Sequence, residues 1–491
     1  MLSFKEARLG VLLSLCCGAI VAADEREWGV VLDCGSSGTR AHIYSWTAGD
    51  VLSLVETVPP AGPLQLDDYG ISHFAEINDP SGVGAYLEPL LQNASRVVPP
   101  SAIGRARIRA YATAGMRLYL PAVQAAIWKE AAAALAASDF KFVAGDALTI
   151  SGNYEGLYNW MSLDYIVNKS AAIRGTTAVG GLDMGGASTQ ITFAPTDGVI
   201  VQDAYHVTRD DRTERLYSHS YMRFGVDQAV RRFYQQLQDT TKGANGTALP
   251  SPCHNPGYSI WVNVTCADSP GTCLRELTGQ GNWTACQALV GGLLHTDYEC
   301  LLPPCAAMGV YQPSLAGRHI YAVSAFWYGV KGVGAVPKGA DEWNGPRAKI
   351  EAAGDSWCKR GFAEISADKY ASAYCFNMAY MDKLLDAYGV TPESTSITYA
   401  GKVDGFSLGW TLGAQLSAIA EQGCALAPAD GPGSGSCPKE KQLEAGLAVG
   451  VPLSLVAGGA LGMMFAKHRA GAAKSGALND RDDLSSAYRP M

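Results

Sequence analysis

VVLDCGSSGTR (Val30 to Arg40) and GGLDMGGASTQ (Gly180 to Gln190) are the two stretches that decide the fold of this 491-residue chain. Each reads as an apolar strand that ends in an aspartate and continues into a tight turn of Gly, Ser and Thr. Because glycine has no Cβ, the backbone N–H groups of such a turn can close around an anion, and the hydroxyl groups add donors. The aspartate can hold a divalent ion through water. One such turn is common in ordinary hairpins, but two predict two phosphate-binding halves that face one cleft.

Strand-like runs lie on both sides of each turn, which predicts that each turn closes a β-hairpin. The runs are Trp28 to Leu32 and Ala41 to Trp46 around the first turn, and Ala178 to Asp183 and Gln190 to Phe193 around the second. The repetition of this unit indicates an internal structural repeat within an α/β fold. Between the two turns we expect a further strand and an alanine-rich helix, over Arg105 to Tyr111 and Ala122 to Ala137.

Other common nucleotide and metal motifs are absent from the sequence. No GxxxxGK[ST] occurs, and the glycines of Gly329 to Gly339 lack the spacing of GxGxxG, so neither a P-loop nor a dinucleotide fold is indicated. There is no HExxH, and the eight histidines show no metal-site spacing. The net charge is −8, with no block of basic residues, which argues against nucleic acid as a partner.

The two ends of the chain predict a membrane protein of the secretory pathway. Residues 1–23 combine a basic start with a short apolar core and small residues at the exit, which is typical of a cleaved signal peptide; a retained anchor is the alternative. Residues 445–466 have no charged side chain and precede basic residues, which predicts a transmembrane helix with residues 467–491 in the cytoplasm. A buried core helix is the alternative here. Residues 425–444, rich in Pro, Gly and Ser, would form a stalk.

Glycosylation sequons and cysteines support an oxidising, extracytoplasmic compartment. Ten cysteines lie between Cys253 and Cys437, an even number that indicates five disulfides, with zinc as the competing interpretation. Cys34 lies apart from them, in the first turn. Five N-x-[ST] sequons fall between the predicted signal and the predicted span, at Asn93, Asn168, Asn245, Asn263 and Asn282.

Two segments between the turns carry candidate catalytic groups. In ATAGMR, Arg117 is suited to clamp phosphate, and Thr113 suits a turn near the site; a surface ion pair on a helix is the alternative. Glu155 lies between Tyr154 and Gly156, with further aromatic residues nearby. Such a setting desolvates a carboxylate and strengthens it as a base for a water that attacks a phosphoanhydride. The alternative is a glutamate that only begins an amphipathic helix.

Taken together, the sequence resembles the nucleoside triphosphate diphosphohydrolases, the apyrase family, from Trp28 to Leu416. The family's five regions occur in order, as LDCGSSGTR, ATAGMR, the Glu-Gly-x-Tyr-x-Trp stretch, LDMGGASTQ and GWTLGAQL. The resemblance implies two RNase H-like α/β domains of the actin/Hsp70/hexokinase type, with the nucleotide in the cleft between them. We place the N-terminal domain at residues 24–165, plus about 402–424, and the disulfide-rich C-terminal domain at residues 166–401.

Carried over position by position, the resemblance implies that Glu155 is the general base and that Ser188 and Gln190 position the attacking water. Asp33 and Asp183 would hold Ca²⁺ or Mg²⁺ through its water shell. Tyr328 would stack on the nucleotide base. The implied phosphate- and nucleotide-binding residues are Ser36, Ser37, Gly38, Thr39, Arg40, Thr113, Arg117, Gly185, Gly186 and Ala187.

The sequence departs from the family pattern at three points. Cys34 and Gly38 stand where cell-surface relatives tend to have Ala and His, and are more similar to the Golgi and lysosomal branch. Arg223 and Val226 replace a cysteine and a base-contacting arginine. The N-terminal cysteine pair is absent, while Cys266 and the Cys424/Cys437 pair are additional. The implied disulfides, with Cys34 left free, are Cys253–Cys286, Cys266–Cys273, Cys300–Cys305, Cys358–Cys375 and Cys424–Cys437.

The predicted function is Ca²⁺- or Mg²⁺-dependent hydrolysis of nucleoside tri- and diphosphates to the monophosphate and phosphate. We expect a single-pass type I membrane protein of the cell surface rather than the Golgi or lysosome. Its partners would be nucleotides and the lipid bilayer, and a homo-oligomer is compatible with the sequence. One alternative is a kinase or nucleotide-driven chaperone of the same fold; the other is an inactive receptor ectodomain, although every implied catalytic residue is present.

Overall fold

The computed structural model describes residues 26–57, 65–66, 69–174, 179–209, 212–241, 248–266, 271–403 and 405–426. The predicted signal peptide, stalk, transmembrane helix and cytoplasmic tail lie outside these residues. Within the described part of the chain, no helix is long and apolar enough to cross a bilayer.

The predicted hairpins, the intervening strand and the alanine-rich helix are all present, with slightly shifted ends. The strands are β1 (Arg26–Cys34), β2 (Thr39–Thr47), β3 (Asp50–Glu56), β4 (Gln65–Leu66), β5 (Arg107–Ala112), β6 (Ala147–Thr149), β7 (Val179–Met184), β8 (Ser188–Phe193), β9 (Ala204–Arg209), β10 (Arg212–Met222), β11 (Leu249–Ser251), β12 (Ser259–Thr265), β13 (Thr272–Gly279), β14 (His319–Ser324), β15 (Glu342–Trp343), β16 (Ile397–Ala400), β17 (Lys402–Val403) and β18 (Phe406–Ser407). The α-helices are α1 (His73–Glu76), α2 (Val83–Val97), α3 (Pro100–Ile103), α4 (Ala114–Arg117), α5 (Pro121–Ala137), α6 (Gly152–Arg174), α7 (Val226–Thr241), α8 (Trp283–Gly292), α9 (Ala325–Gly332), α10 (Arg347–Cys358), α11 (Phe362–Ile365), α12 (Ala371–Ala387) and α13 (Thr411–Leu426).

Two mixed sheets repeat one strand order. The first runs β3-β2-β1-β5-β6, with β4 beside β2, and the second runs β15-β16-β14-β7-β8-β10-β9. In the first sheet β1 pairs antiparallel with β2 and parallel with β5; in the second, β7 pairs antiparallel with β8 and parallel with β14. The two halves therefore share a topology built outward from a hairpin, which is the repeat that the paired turns predict.

The parallel pairings bring the chemistry-bearing segments to one edge of each sheet. In the first sheet Asp33 is opposite Tyr111, so β1 and β5 end together and ATAGMR follows beside the first turn. In the second sheet Asp183 is opposite Val323, so β14 ends beside the second turn. Ligand sites in open α/β sheets lie at such carboxyl ends of parallel strands.

The two long helices α6 and α13 connect the halves. Separate apolar cores lie behind the two sheets, and a further buried cluster joins Val31 of β1, Leu163 of α6, Tyr321 of β14 and Trp410 just before α13. α6 packs against β7, β8 and β10 and against α13, which in turn contacts β1 and β2. The expected domain boundary between residues 165 and 166 falls within α6, because this helix continues without a break to Arg174.

The crossing of α6 and α13 explains one glycine of the GWTLGAQL motif. The backbone of Gly413 lies directly against the backbone of Tyr158, and its N–H donates to Ser162 Oγ at 2.7 Å. Any Cβ at this position would collide with the Tyr158 carbonyl. A larger residue would therefore force the two helices apart.

The cysteines of the second half pair as the resemblance implies. Cα–Cα separations are 4.8 to 6.0 Å for the pairs Cys253–Cys286, Cys266–Cys273, Cys300–Cys305 and Cys358–Cys375. Cys34 is buried and free. The expected Cys424–Cys437 pair lies outside the described side chains.

Three of the five sequons have described side chains. Asn263 and Asn282 are exposed, whereas Asn93 in α2 is half-buried and accepts a hydrogen bond from Arg96. Asn282 caps α8 through its amide oxygen, which accepts from the N–H of Ala285 at 3.1 Å. Because a glycan attaches to the amide nitrogen, glycosylation of Asn282 leaves this cap intact. The side chains of Asn168 and Asn245 lie outside the description.

The first prediction concerns the Cys253–Cys286 bridge, whose sulfurs are buried in the core of the second half. Loss of a native disulfide from a secreted domain lowers its stability by about 2–5 kcal/mol. We therefore expect Cys253→Ser to reduce the yield of exported protein and its resistance to denaturant much more than Cys34→Ser does. Peptide mapping under non-reducing conditions is the companion measurement, and a bridge from Cys34 to any other cysteine would contradict the pairing.

Candidate active site

The two glycine-rich turns lie against each other across one cleft. A Cβ built on Gly186 in the second turn would be 2.6 Å from Ser36 Oγ in the first turn. A Cβ on Gly115 of α4 would be 2.8 Å from the Cα of the same Ser36. The first turn thus contacts both the second turn and α4, and only glycine at these two positions allows so close an approach.

The second turn is held by the start of α7. Backbone N–H groups of Val226 and Asp227 donate to the carbonyl oxygens of Gly185 and Gly186, each at 2.9 Å. The N–H of Arg223 donates to the carbonyl of Ala187 at 2.8 Å. These bonds keep the carbonyl oxygens of the turn on the α7 side, and they place the positive end of the α7 dipole beside a turn expected to bind phosphate.

A glycine substitution at the base of α7 tests this support. A Cβ on Gly225 would lie under 3.0 Å from backbone atoms of Gly186, Ala187 and Ser188, so Gly225→Ala must displace the second turn. Because misplacement of a site by about 1 Å costs about 10²-fold in rate, we expect kcat/KM for phosphate release to fall by about that factor. Gly84→Ala in α2 is the matched control, since its Cβ meets only ordinary contacts. Equal activity of the two variants would contradict this role of Gly225.

Glu155 lies at the centre of the polar contacts between the halves. It stands in the first turn of α6, is 6 % exposed, and forms an ion pair with Arg117 of α4. Gln190 Nε2 is 3.2 Å from Glu155 Oε2, 2.6 Å from Ser188 Oγ and 2.9 Å from Ser220 Oγ. Burial raises the pKa of Glu155 to about 7, although the Arg117 guanidinium opposes this rise. A carboxylate with this pKa is suited to accept a proton near neutral pH.

Asp33 and Asp183 stand one residue before the ends of β1 and β7 and face the same cleft. Burial raises the pKa of Asp183 to about 6, and a hydrogen bond from Ser324 opposes this while the charge of Asp33 adds to it. Burial also raises the pKa of Asp33, whose carboxylate is 3.9 Å from the Arg40 guanidinium. Both aspartates raise the pKa of Glu155 further. Three desolvated carboxylates that repel one another form a site that a cation would stabilise.

The donor set fits a cation held through water. Within the described residues, no group of three or more His, Cys, Asp or Glu side chains is arranged to bind a metal ion directly. Two carboxylates on opposite sides of one cleft are nevertheless the oxygen ligands that hydrated Ca²⁺ and Mg²⁺ prefer.

The remaining predicted residues occupy the same edges of the sheets. Thr113 is buried immediately before α4, and Thr39 Oγ1 accepts a hydrogen bond from Tyr86 at 2.9 Å. Tyr328 lies on α9, one turn beyond Ser324, and is 58 % exposed, whereas Phe326 is fully buried in the core. An exposed ring here is available for stacking on a flat ligand.

Sequence reasoning missed four polar residues of the site. Ser220 on β10 is opposite Gln190 in the sheet register, and Ser324 bonds Asp183 from a backbone with φ of 59°. The Trp410 side chain donates a hydrogen bond to Asp33. Asp227 is half-buried in the first turn of α7, and desolvation raises its pKa to about 6. Trp410 lies in the GWTLGAQL motif, but the motif alone gave this residue no role.

Comparison with known proteins identifies the family. The model of the GDA1/CD39 (nucleoside phosphatase) family matches residues 19–427. The chain belongs to this family. Ectonucleoside triphosphate diphosphohydrolase 1 of Mus musculus is 30 % identical over 430 residues, covering 80 % of each chain. Probable apyrase 3 of Arabidopsis thaliana is 29 % identical over 414 residues, covering 79 % of this chain and 81 % of the relative.

The fold is also similar to a solved structure. Nucleoside triphosphate hydrolases from Neospora caninum match with a TM-score of 0.57 and 16 % identity, covering 80 % of this chain and 92 % of that one. At this identity the match supports the two-sheet α/β architecture. Membership of the nucleoside phosphatase family rests on the sequence.

Proposed function

We propose that the protein hydrolyses nucleoside tri- and diphosphates to the monophosphate and phosphate, by in-line attack of a water that Glu155 activates. The observation that carries this proposal is the position of Glu155, which is buried between two phosphate-binding turns and has a pKa of about 7. In-line phosphoryl transfer needs a group that orients the nucleophile and accepts its proton. Glu155 is suited to both tasks.

Ser188 and Gln190 would orient the water that Glu155 deprotonates. The Gln190 side chain connects Glu155 to the Ser188 hydroxyl, so an attacking water can be held by three polar groups at once. The two turns would bind the phosphates, and Tyr328 would stack on the base. A rigid arrangement of this kind supplies catalysis mainly through positioning and electrostatic stabilisation.

Asp33 and Asp183 would hold Ca²⁺ or Mg²⁺ through its coordinated water. When bound, the ion would neutralise charge on the polyphosphate. The burial of Asp183, and the rise in its pKa that the charge of Asp33 adds, support this assignment.

The predicted membrane topology completes the proposal. Residues 1–23 would be a cleaved signal and residues 445–466 a single span, so that the nucleotide site lies outside the cytoplasm. Exposure of Asn263 and Asn282 supports an extracytoplasmic location for the second half, and the family includes relatives named as ectoenzymes. Assembly as a homo-oligomer remains compatible with this arrangement.

Phosphate release from nucleotides with no acceptor present tests the proposed reaction. The full-length protein in detergent should release phosphate from nucleoside tri- and diphosphates, and it should leave monophosphates intact. Transfer that requires an added acceptor would instead indicate a kinase. Absence of any turnover by folded protein would indicate a binding protein.

The pH profile of turnover provides a second test, because only ionised Glu155 can accept a proton. With a pKa of about 7, the active fraction rises as pH increases through neutrality and is lost below it. Arg117→Met removes a charge that lowers this pKa, so the acid limb of the log kcat profile should move to higher pH by roughly 1–2 units. If Arg117 only contacted phosphate, KM would rise and the acid limb would stay in place.

A further inference from the structure

A cavity of about 350 Å³ lies at the end of the first sheet opposite the active site. It is lined by the start of β1, the end of β2, the start of β5 and Gln415 of α13. Since β1 has nine residues and rises about 3.3 Å per residue, this end lies roughly 26 Å from Cys34 and the phosphate-binding turn. The cavity is therefore separate from the nucleotide cleft.

Positive charge dominates the lining of this cavity. Five basic side chains line it, together with a single acidic residue, Glu27. Two further carboxylates lie close by, since Asp146 bonds Arg107, and Glu421 acts electrostatically on Arg107 and Arg109. The basic residues are Arg26, Arg105, Arg107, Arg109 and Lys141.

Arg109 is the residue that points to a ligand. Its side chain is only 2 % exposed, yet both terminal nitrogens of the guanidinium have no hydrogen-bond partner. Its sole carboxylate neighbour within 4 Å among the described residues is Asp146, 3.8 Å from Arg109 Nε and already bonded twice to Arg107 at 2.6 Å. Burial of an incompletely paired cation is unfavourable, so an anion that accepts from both free nitrogens would stabilise it.

The other walls of the cavity define the shape of such a ligand. Trp28 and Trp46 line it beside the arginines, and Gln415 contributes a buried amide oxygen without a hydrogen-bond partner. A planar guanidinium binds two oxygens of a phosphoryl group at once, while indole rings pack against an apolar or flat part attached to it. The volume lies within the range of small-ligand sites.

We propose that this cavity is a second anion site, which binds the phosphoryl group of a phosphate-bearing ligand. Arg109 binds the phosphoryl oxygens, and Arg105 and Lys141 at the exposed rim attract the anion. A soluble phosphate and a phospholipid headgroup share this chemistry. The site is independent of the reaction proposed above, because none of its residues belongs to the nucleotide cleft.

Chemical modification of arginine resolves this site from the active site. Full-length protein in detergent is treated with phenylglyoxal, and mass spectrometry follows the rate of modification at Arg105 and Arg107. The probes are inorganic phosphate, adenosine monophosphate, and mixed micelles of the same detergent with phosphatidylcholine, with or without phosphatidic acid. At ten times its Kd a ligand leaves about one site in eleven open, so modification of Arg105 should slow about tenfold. Arg96, an exposed arginine of α2 outside the cavity, is the internal control.

Two variants test the assignment of the residues. Arg109→Gln removes the buried cation, and protection of Arg105 should disappear. In case this buried change prevents folding, Lys141→Glu alters only the exposed rim and should weaken protection, whereas the matched Lys129→Glu on α5 should not.

The probe that protects Arg105 from modification identifies the source of the ligand. Protection by phosphate or adenosine monophosphate identifies a soluble ligand, and protection only by micelles with phosphatidic acid identifies a lipid headgroup; both support the site. The proposal is overturned if no probe protects Arg105, if Arg96 slows equally, or if protection survives both Arg109→Gln and Lys141→Glu.

Discussion

Glu155→Gln should lower kcat by about 10²–10⁴ while the protein still binds nucleotide, because glutamine keeps the shape of the side chain but cannot accept a proton. The substitution also replaces the ion pair with Arg117 by a contact to a neutral side chain. The Gln190 amide can still donate a hydrogen bond to the side-chain oxygen at position 155. Binding is measured with a non-hydrolysable nucleotide analogue, and turnover by phosphate release. These two readouts separate loss of chemistry from loss of the site.

The matched control is Glu88→Gln, which makes the same change at an exposed position of α2. It should have normal turnover. If folded Glu155→Gln protein turned over nucleotide at the same rate as Glu88→Gln, Glu155 would not be the base. A parallel loss of binding and turnover would instead assign Glu155 a structural role in holding Arg117.

Removal of divalent cations should abolish turnover, since three desolvated carboxylates and a polyphosphate cannot share one cleft without a compensating charge. We expect EDTA to reduce phosphate release to background, and either Ca²⁺ or Mg²⁺ to restore it, because hard oxygen ligands accept both ions. EDTA already saturated with Mg²⁺ is the control for effects of the chelator itself. Full activity in EDTA, or recovery with zinc alone, would contradict the roles of Asp33 and Asp183.

The local devices of this fold could be predicted from sequence because they depend on neighbouring residues. A strand, an aspartate and a glycine-rich turn encode a hairpin within about ten residues. Both hairpins, and the expectation that their turns face one cleft, were therefore predictable. The position of Glu155 near the turns was predictable because its segment, with aromatic residues around the glutamate, lies between the two turns in the sequence. In contrast, its pairing with Arg117 depends on how α4 meets α6, which no local pattern specifies.

The contacts that were missed are set by long-range packing. Ser220 reaches Gln190 only because β10 lies next to β8 in a particular register, and Ser324 reaches Asp183 only because β14 pairs parallel with β7. The positive φ of Ser324 has no signature in its residue type, since serine rarely adopts it. The expected domain boundary between residues 165 and 166 lies within α6, because this helix continues along the sheet of the second half.

The Arg117–Glu155 pair has a consequence for the free enzyme. Arg117 belongs to the first half, whereas Glu155 is carried by α6, which packs on the sheet of the second half. The guanidinium is the neighbour that favours the ionised form of this buried carboxylate, against desolvation and the charges of Asp183 and Asp33. The packing of α4 beside α6 therefore helps to decide how much of the base is ionised at neutral pH, so a substitution at the contact between these two helices can change turnover without touching either glycine-rich turn.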